Sequence, residues 1–237
     1  MRSGFGQFCP VAVACEVFAQ RWTPIILREL LAGAQQFNEI HRGIPLISLP
    51  LLARRLRQLE VAGVITRESP PAGRGYRYCL TDAGKEFQPI VEGLGIWGQR
   101  WTARFDRHNL DPAFLMWNMR RSIALDRLPP RTVVVRFKFS GVAAAYSGPR
   151  IFWLQLERTQ ADLCVVDPGF DVDLYLESDL AAMAKVWMGD LTFESALRSN
   201  KLRLVGSRDC VKLFPSWLML SPFVGVPRPE RQAAEMH

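Results

Sequence analysis

Arg54 and Arg57 stand three residues apart in the run Ser48-Leu49-Pro50-Leu51-Leu52-Ala53-Arg54-Arg55-Leu56-Arg57-Gln58-Leu59, and residues at that spacing project from one side of a helix. A guanidinium is a planar fork of donors that can seize guanine O6 and N7 or clamp a phosphate. Two of them on one helical side suit a polyanion; the other reading is a solvated basic face without a partner. Arg55 lies on another azimuth and suits phosphate contact or packing. Within residues 54–77, six arginines stand against two glutamates, a bias that favours the polyanion.

The residues around those arginines supply a frame. Ser48 can cap a helix with Pro50 in its first turn, and Leu52, Leu56 and Leu59 recur on the side that packs. Gly63 stops that helix; residues 64–68 read as a strand, 69–75 as an exposed turn and 76–80 as a returning strand. A helix followed directly by a hairpin with Arg74 at its tip is the layout of a winged helix, in which the helix enters a major groove and the tip lies along a neighbouring groove or phosphate strand. Ser48, Arg54, Arg55, Arg57, Arg74 and Arg77 are thus the expected contacts to double-stranded DNA. Upstream, Cys9-Pro10 opens a helix to about residue 20, and Thr23 caps a second with Pro24 first and Ile26, Leu27, Leu30 and Leu31 apolar. Gln36 begins a short third helix that ends before Gly43 and forms the helix-turn-helix pair with the Ser48 helix. After the wing, Thr81 can cap a long helix from 82 to about 104. Its Phe87, Trp97 and Trp101 call for a covering partner.

The ordered set Cys9-Pro10-Val11, Arg21-Trp22-Thr23, Ile26-Leu27-Arg28-Glu29-Leu30, Arg42-Gly43-Ile44-Pro45, Ser48, Leu56-Arg57-Gln58-Leu59-Glu60, Ala62-Gly63 and Tyr78-Cys79-Leu80-Thr81-Asp82-Ala83-Gly84 resembles the HxlR-type family of bacterial winged-helix regulators. That resemblance implies a symmetric homodimer, held by the first and last helices of the domain, on a palindromic operator. Leu49-Pro50 departs from it, being apolar where polar groups would suit base contact. Cys9 sits at a helix start, where the dipole favours a thiolate, and some relatives of that family sense oxidants or electrophiles through a cysteine there. The other reading of Cys9 is a small buried capping residue. Cys15, Cys79, Cys164 and Cys210 fall in apolar patterns and read as core.

Beyond residue 106 the grammar changes. Asp111-Pro112 opens a helix carrying Phe114, Leu115, Met119 and Ile123 that runs out at Leu128-Pro129-Pro130, a stiff break. Val133, Val135, Phe137 and Phe139 then alternate with Arg136 and Lys138 as a half-buried strand, a hairpin spans 151–166, and Val172, Leu174 and Leu176 mark a further strand. Ser178, Thr192 and Ser207 can cap helices, with a strand at 202–205 between the last two. The expected division is a winged helix-turn-helix domain at 1–106, a helical linker at 107–130, an α+β domain at 131–218 and a loose tail at 219–237; the fold class is α+β. Leu191-Thr192 through Ala196-Leu197, Lys201-Leu202-Arg203-Leu204-Val205-Gly206 and Phe214-Pro215 with Trp217-Leu218 resemble the sterol-carrier-protein-like fold. That resemblance implies an apolar tunnel for a lipid-like effector. Trp153, Leu156, Met183, Trp187, Phe193, Phe214 and Trp217 would then border it, or else simply pack as core.

The 237 residues carry a formal charge of +7, with 13 Lys+Arg against 9 Asp+Glu in residues 1–106. No apolar run approaches the roughly 18 residues that span a bilayer, so no membrane partner is expected. Residues 8–15 could pass for a short secretory signal, but Pro10 interrupts them and Val13, Val17 and Phe18 continue a helical pattern. Five scattered cysteines without a Cys-x-x-Cys pair point to reduced thiols in a cytosol. Asp167, Asp171, Asp173, Glu177 and Asp179 lack calcium-loop spacing and read as surface carboxylates facing Arg136 or Lys138. His41, His108 and His237 are isolated, and Gly73-Arg74-Gly75 has no following Gly-Lys-Ser/Thr, so no metal, cofactor or catalytic residue is expected. Two functions remain: a DNA-binding dimeric regulator, most often a repressor in that family, with a sensor for a hydrophobic small molecule; or a lipid-carrier or protein-interaction module whose winged helix only dimerises.

Overall fold

The computed structural model describes residues 4–69, 75–102 and 110–227. Contacts divide the chain into two units, residues 1–97 and 98–237. In the first, α1 (Pro10–Phe18), α2 (Thr23–Leu31), α3 (Phe37–Gly43) and α4 (Leu49–Val61) precede an antiparallel hairpin of β1 (Ile65–Glu68) and β2 (Arg77–Leu80). Leu52, Leu56 and Leu59 of α4 are buried with Ile26 and Leu27 of α2 and Ile40 of α3. Each such side chain contributes about 2 kcal/mol on leaving water. Apolar side chains at i, i+4 and i+7 leave the opposite face of α4 to solvent.

Several ends differ from the sequence reading. Trp22, in the left-handed region at φ 79°, caps α2, and Thr23 is already helical. The Glu39 carboxylate accepts from the backbone N–H groups of Gln35 and Gln36, both at 3.0 Å, fixing the start of α3. The expected long helix after the wing is two: α5 (Asp82–Lys85), with Thr81 accepting from the Gly84 N–H, and α6 (Gln88–Trp101). The break falls at Glu86-Phe87, and Phe87 turns inward to stack on Phe18 with centroids 5.3 Å apart.

The second unit holds α7 (Pro112–Arg121), β3 (Val133–Ser140), β4 (Ile151–Leu156), β5 (Ala161–Cys164), β6 (Leu174–Asp179), α8 (Leu180–Trp187), α9 (Phe193–Arg198), β7 (Leu202–Gly206) and α10 (Arg208–Trp217). The sheet order is β5-β4-β3-β6-β7, antiparallel except for the central β3/β6 pair. The α7 helix, read from sequence as part of a linker, has Leu115, Met116 and Met119 in the same core as Val133, Val135 and Phe137. Strand alternation puts those odd positions of β3 against the helices and turns Arg136 and Lys138 to the other face. There Lys138 meets Glu177 at 3.5 Å, whereas Asp173 is taken by Arg131 at 2.7 Å and the Val134 N–H at 2.9 Å rather than by the two cross-sheet cations expected. Asp179, not Ser178, caps α8; Thr192 and Ser207 cap α9 and α10.

Glu29 is fully buried between α2 and α3, where Arg28 holds its Oε1 through Nη2 at 2.8 Å and Nε at 3.0 Å while also donating to the Gly43 carbonyl at 3.0 Å. A Cβ on residue 43 would fall on the Glu29 carboxylate. Gly43→Ala is therefore expected to cost about 1–3 kcal/mol through overpacking, read as a lower urea midpoint at unchanged slope. An unaltered midpoint would mean that Glu29 swings aside freely.

Candidate nucleic-acid interface

The buried leucine stripe fixes which way α4 faces. Opposite it, Arg54 and Arg57 are exposed, and Ser48 at the helix start is exposed with no side-chain bond to the helix it precedes. Together with Glu16, Gln20 and Val61, the two arginines border an open cleft of about 540 Å³ between α1 and α4. Arg55 is committed elsewhere. Its Nε donates to the Arg21 carbonyl at 3.1 Å and its Nη1 to Gln58 Oε1 at 2.8 Å. Partial burial, then the neighbouring Arg54 charge, lower its pKa, from a value so high that it remains cationic at neutral pH. Of the two roles read for Arg55, packing is the one its contacts carry.

The hairpin is anchored at its base. The Tyr78 N–H donates to the Gln35 carbonyl at 2.8 Å, Gln36 bridges Arg77, and the Arg77 guanidinium donates to the Gln35 side chain while staying exposed. Arg67 escaped the sequence reading. It lies 4.4 Å over the Tyr76 ring and 3.5 Å from Glu60 of α4, so it braces the wing against the helix. The signal was present in the sequence as a glutamate in the last turn of α4 and a cation on the next strand, but their register was not. Arg74, the expected wing-tip contact, lies outside the described residues.

Cys9 caps α1 and is exposed. The backbone N–H groups of Ala12 and Val11 point at its sulfur and lower its pKa below the ordinary thiol value, as dipoles at a helix start do for an anion. Cys210 is buried as expected, whereas Cys15, Cys79 and Cys164 are half-buried.

In the second unit the seven residues expected to line a pocket take different places, although Phe193, Phe214 and Trp217 are in ring contact, with centroids 6.0 and 6.2 Å apart. Leu156, Met183, Phe214 and Trp217 are fully buried and packed in the core, and Trp187 packs at its edge. Trp153 lies on the other face of the sheet, with Arg136 5.8 Å from its ring centroid. Phe193 lines a cleft of about 280 Å³ with Val186, Leu191, Pro215, Leu218, Leu220 and Val224 among its walls. The segment that supplies Leu220 and Val224, expected from the sequence to be a loose tail, is tied down where its Ser221 N–H donates to the Trp187 carbonyl at 2.9 Å. No helix among the described residues is long and apolar enough to cross a membrane.

A helical unit whose fourth helix buries leucines, presents arginines outward and runs straight into a two-stranded hairpin is a winged helix-turn-helix, a DNA-binding architecture. Residues 17–106 match the HxlR-like helix-turn-helix family. The chain is 34% identical over 111 residues to the uncharacterized HTH-type transcriptional regulator YvaP of Bacillus subtilis (strain 168), which spans 46% of this chain and 95% of that protein. It is 39% identical over 94 residues to an uncharacterized HTH-type transcriptional regulator of Methanothermobacter thermautotrophicus, covering 39% of this chain and 72% of the relative. Among solved structures, the reduced form of the transcriptional regulator YodB from B. subtilis aligns with 42% of this chain and all of its own, at 29% identity and a TM-score of 0.37. The chain belongs to the HxlR-like family and is a DNA-binding transcriptional regulator; its relatives are regulators rather than enzymes.

The cap geometry of Cys9 gives a reactivity prediction. Because its pKa is lowered in the folded chain, the thiolate fraction at neutral pH exceeds that of an ordinary cysteine. Iodoacetamide should label Cys9 ahead of the other four thiols, with a rate that rises through a midpoint below that of the same cysteine in urea. Peptide mass mapping at several pH values reads this; equal rates for Cys9 folded and unfolded would contradict it.

Proposed function

We propose that this protein is a homodimeric repressor that binds a palindromic operator through α4 and the wing and responds to a hydrophobic small molecule through its second unit. The observation that carries the DNA contact is the pairing of Arg54 and Arg57 on the exposed face of a helix whose other face is fully buried. Dimerisation is supported by α1, which has no buried residue, and by Ile90, Leu94 and Trp97 of α6, which are between 48% and 57% exposed. Two such apolar helices at the ends of one domain are surfaces a second copy would cover. With two copies, operator half-sites lie about 10 bp, one helical turn, apart.

The effector reading rests on the cleft between α8, α9, α10 and the 218–224 segment. Most of its lining side chains are apolar, and at about 280 Å³ it suits a small, largely hydrophobic molecule rather than a long lipid. The five-stranded sheet with helices on one face agrees with the sterol-carrier-like reading. A ligand there regulates only by binding the DNA-competent and incompetent states unequally. Cys9, exposed and with a lowered pKa, is a second sensing element, for oxidants or electrophiles.

Replacing Arg54 and Arg57 together by Ala should weaken operator binding at least about 30-fold and flatten its salt dependence, in fluorescence anisotropy with the full chain. Arg55→Ala should instead act mainly on stability. Operator affinity untouched by the double substitution would leave the winged helix as a dimerisation module. Native mass spectrometry should give twice the 26.9 kDa chain mass, and Ile90→Asp with Leu94→Asp should give the single chain and a weaker operator complex. The same spectra report any retained apolar molecule; a monomeric parent would remove the palindrome from the proposal.

A further inference from the structure

The start of α4 is apolar and open to water. Leu49, its first residue, is 51% exposed, Leu46 in the preceding turn is 84% exposed, and Pro50 is exposed beside them. In a helix-turn-helix the first residues of the recognition helix are the ones that meet base edges, so the three exposed apolar side chains of Leu46, Leu49 and Pro50 bring neither donor nor acceptor where hydrogen bonds would ordinarily be made. Set against the polar edges of guanine, cytosine or adenine, leucine and proline would strip water from those atoms and return nothing. One apolar group does face the major groove of unmodified B-form DNA: the C5 methyl of thymine.

We infer that Leu49, flanked by Leu46 and Pro50, reads thymine methyl groups, so that each operator half-site carries A·T pairs beneath the start of α4. This rests on the DNA-binding reading and sharpens it to a base preference. Arg54 lies five residues further along the helix, about 7.5 Å of axial rise and roughly 140° round its axis from Leu49, so the two side chains meet separate parts of the site. Ser48, whose hydroxyl makes no capping bond, supplies the polar contact next to the methyl. The arginines provide attraction to the duplex; the leucine tip selects sequence by shape and dryness.

The test begins by selecting duplexes from a randomised library with the full chain. Each thymidine of the enriched half-site is then replaced singly by deoxyuridine, which removes the methyl and leaves the pairing. At one or two positions the parent protein should lose about fourfold in affinity per methyl. Leu49→Ala, with an unchanged melting temperature, should bind the thymine and uracil duplexes alike; Leu46→Ala gives the same comparison from the adjacent turn. Equal affinity of the parent for thymine and uracil at every position, or an enriched half-site with no A·T pair, overturns the inference while leaving DNA binding intact. A selection that enriches no sequence overturns sequence-specific binding itself, and this inference with it.

Discussion

Burial of Leu52, Leu56 and Leu59 against α2 and α3 is the constraint on which the interface depends. A helix free to roll about its axis would spread its cations over all azimuths, and a groove would meet them at random. Three leucines on one stripe, each fully out of water, forbid that roll. They turn Arg54 and Arg57 outward as a pair and leave Arg55 to its contacts with Arg21 and Gln58. Hydrophobic burial is non-directional, but distributed along one edge of a rigid helix it becomes an orienting force. Nothing in the electrostatics of the arginines themselves could fix their direction as firmly.

The wing is held by different means. Its strands are four residues each, too short to be stable alone, and the contacts that hold it are polar. Gln35 and Gln36 extend it by backbone pairing, and Arg67 ties it to α4 through Glu60. An exposed ion pair contributes little. The cation over Tyr76 and the backbone bridge add to it, so the position of the hairpin rests on several modest interactions rather than one. That suits a part whose task is to follow a phosphate strand.

Period and capping made the first unit legible in the sequence, because each helix of the DNA-facing half begins at a cap or proline and carries an apolar stripe of helical spacing. The break between α5 and α6 was not legible: Phe87 belongs to a continuous apolar pattern, and only its stack on Phe18 shows that the chain turns there. For the second unit, strand alternation separated the two faces of β3 correctly. It could not say that Trp153 sits on the far face, since β4 is apolar on both sides, with Phe152, Trp153 and Leu154 all buried. A core tryptophan and a cavity-lining one have the same signature in a sequence. Which carboxylate met which cation also depended on strand register, and Asp173 was claimed by Arg131 from outside the β3 face expected to hold it.

The parallel pairing of β3 with β6 at the centre of the five-stranded sheet carries a consequence for synthesis. Antiparallel β4 follows β3 within a dozen residues and can zip at once, but the other edge of β3 waits for residues 174–179. Until these emerge from the ribosome, Val133 to Phe139 form an open, mostly apolar strand edge, the kind that recruits other chains. The nascent protein thus passes through a stage at which a largely buried strand is also an adhesive one. Any pause in translation between residues 140 and 174 lengthens that stage.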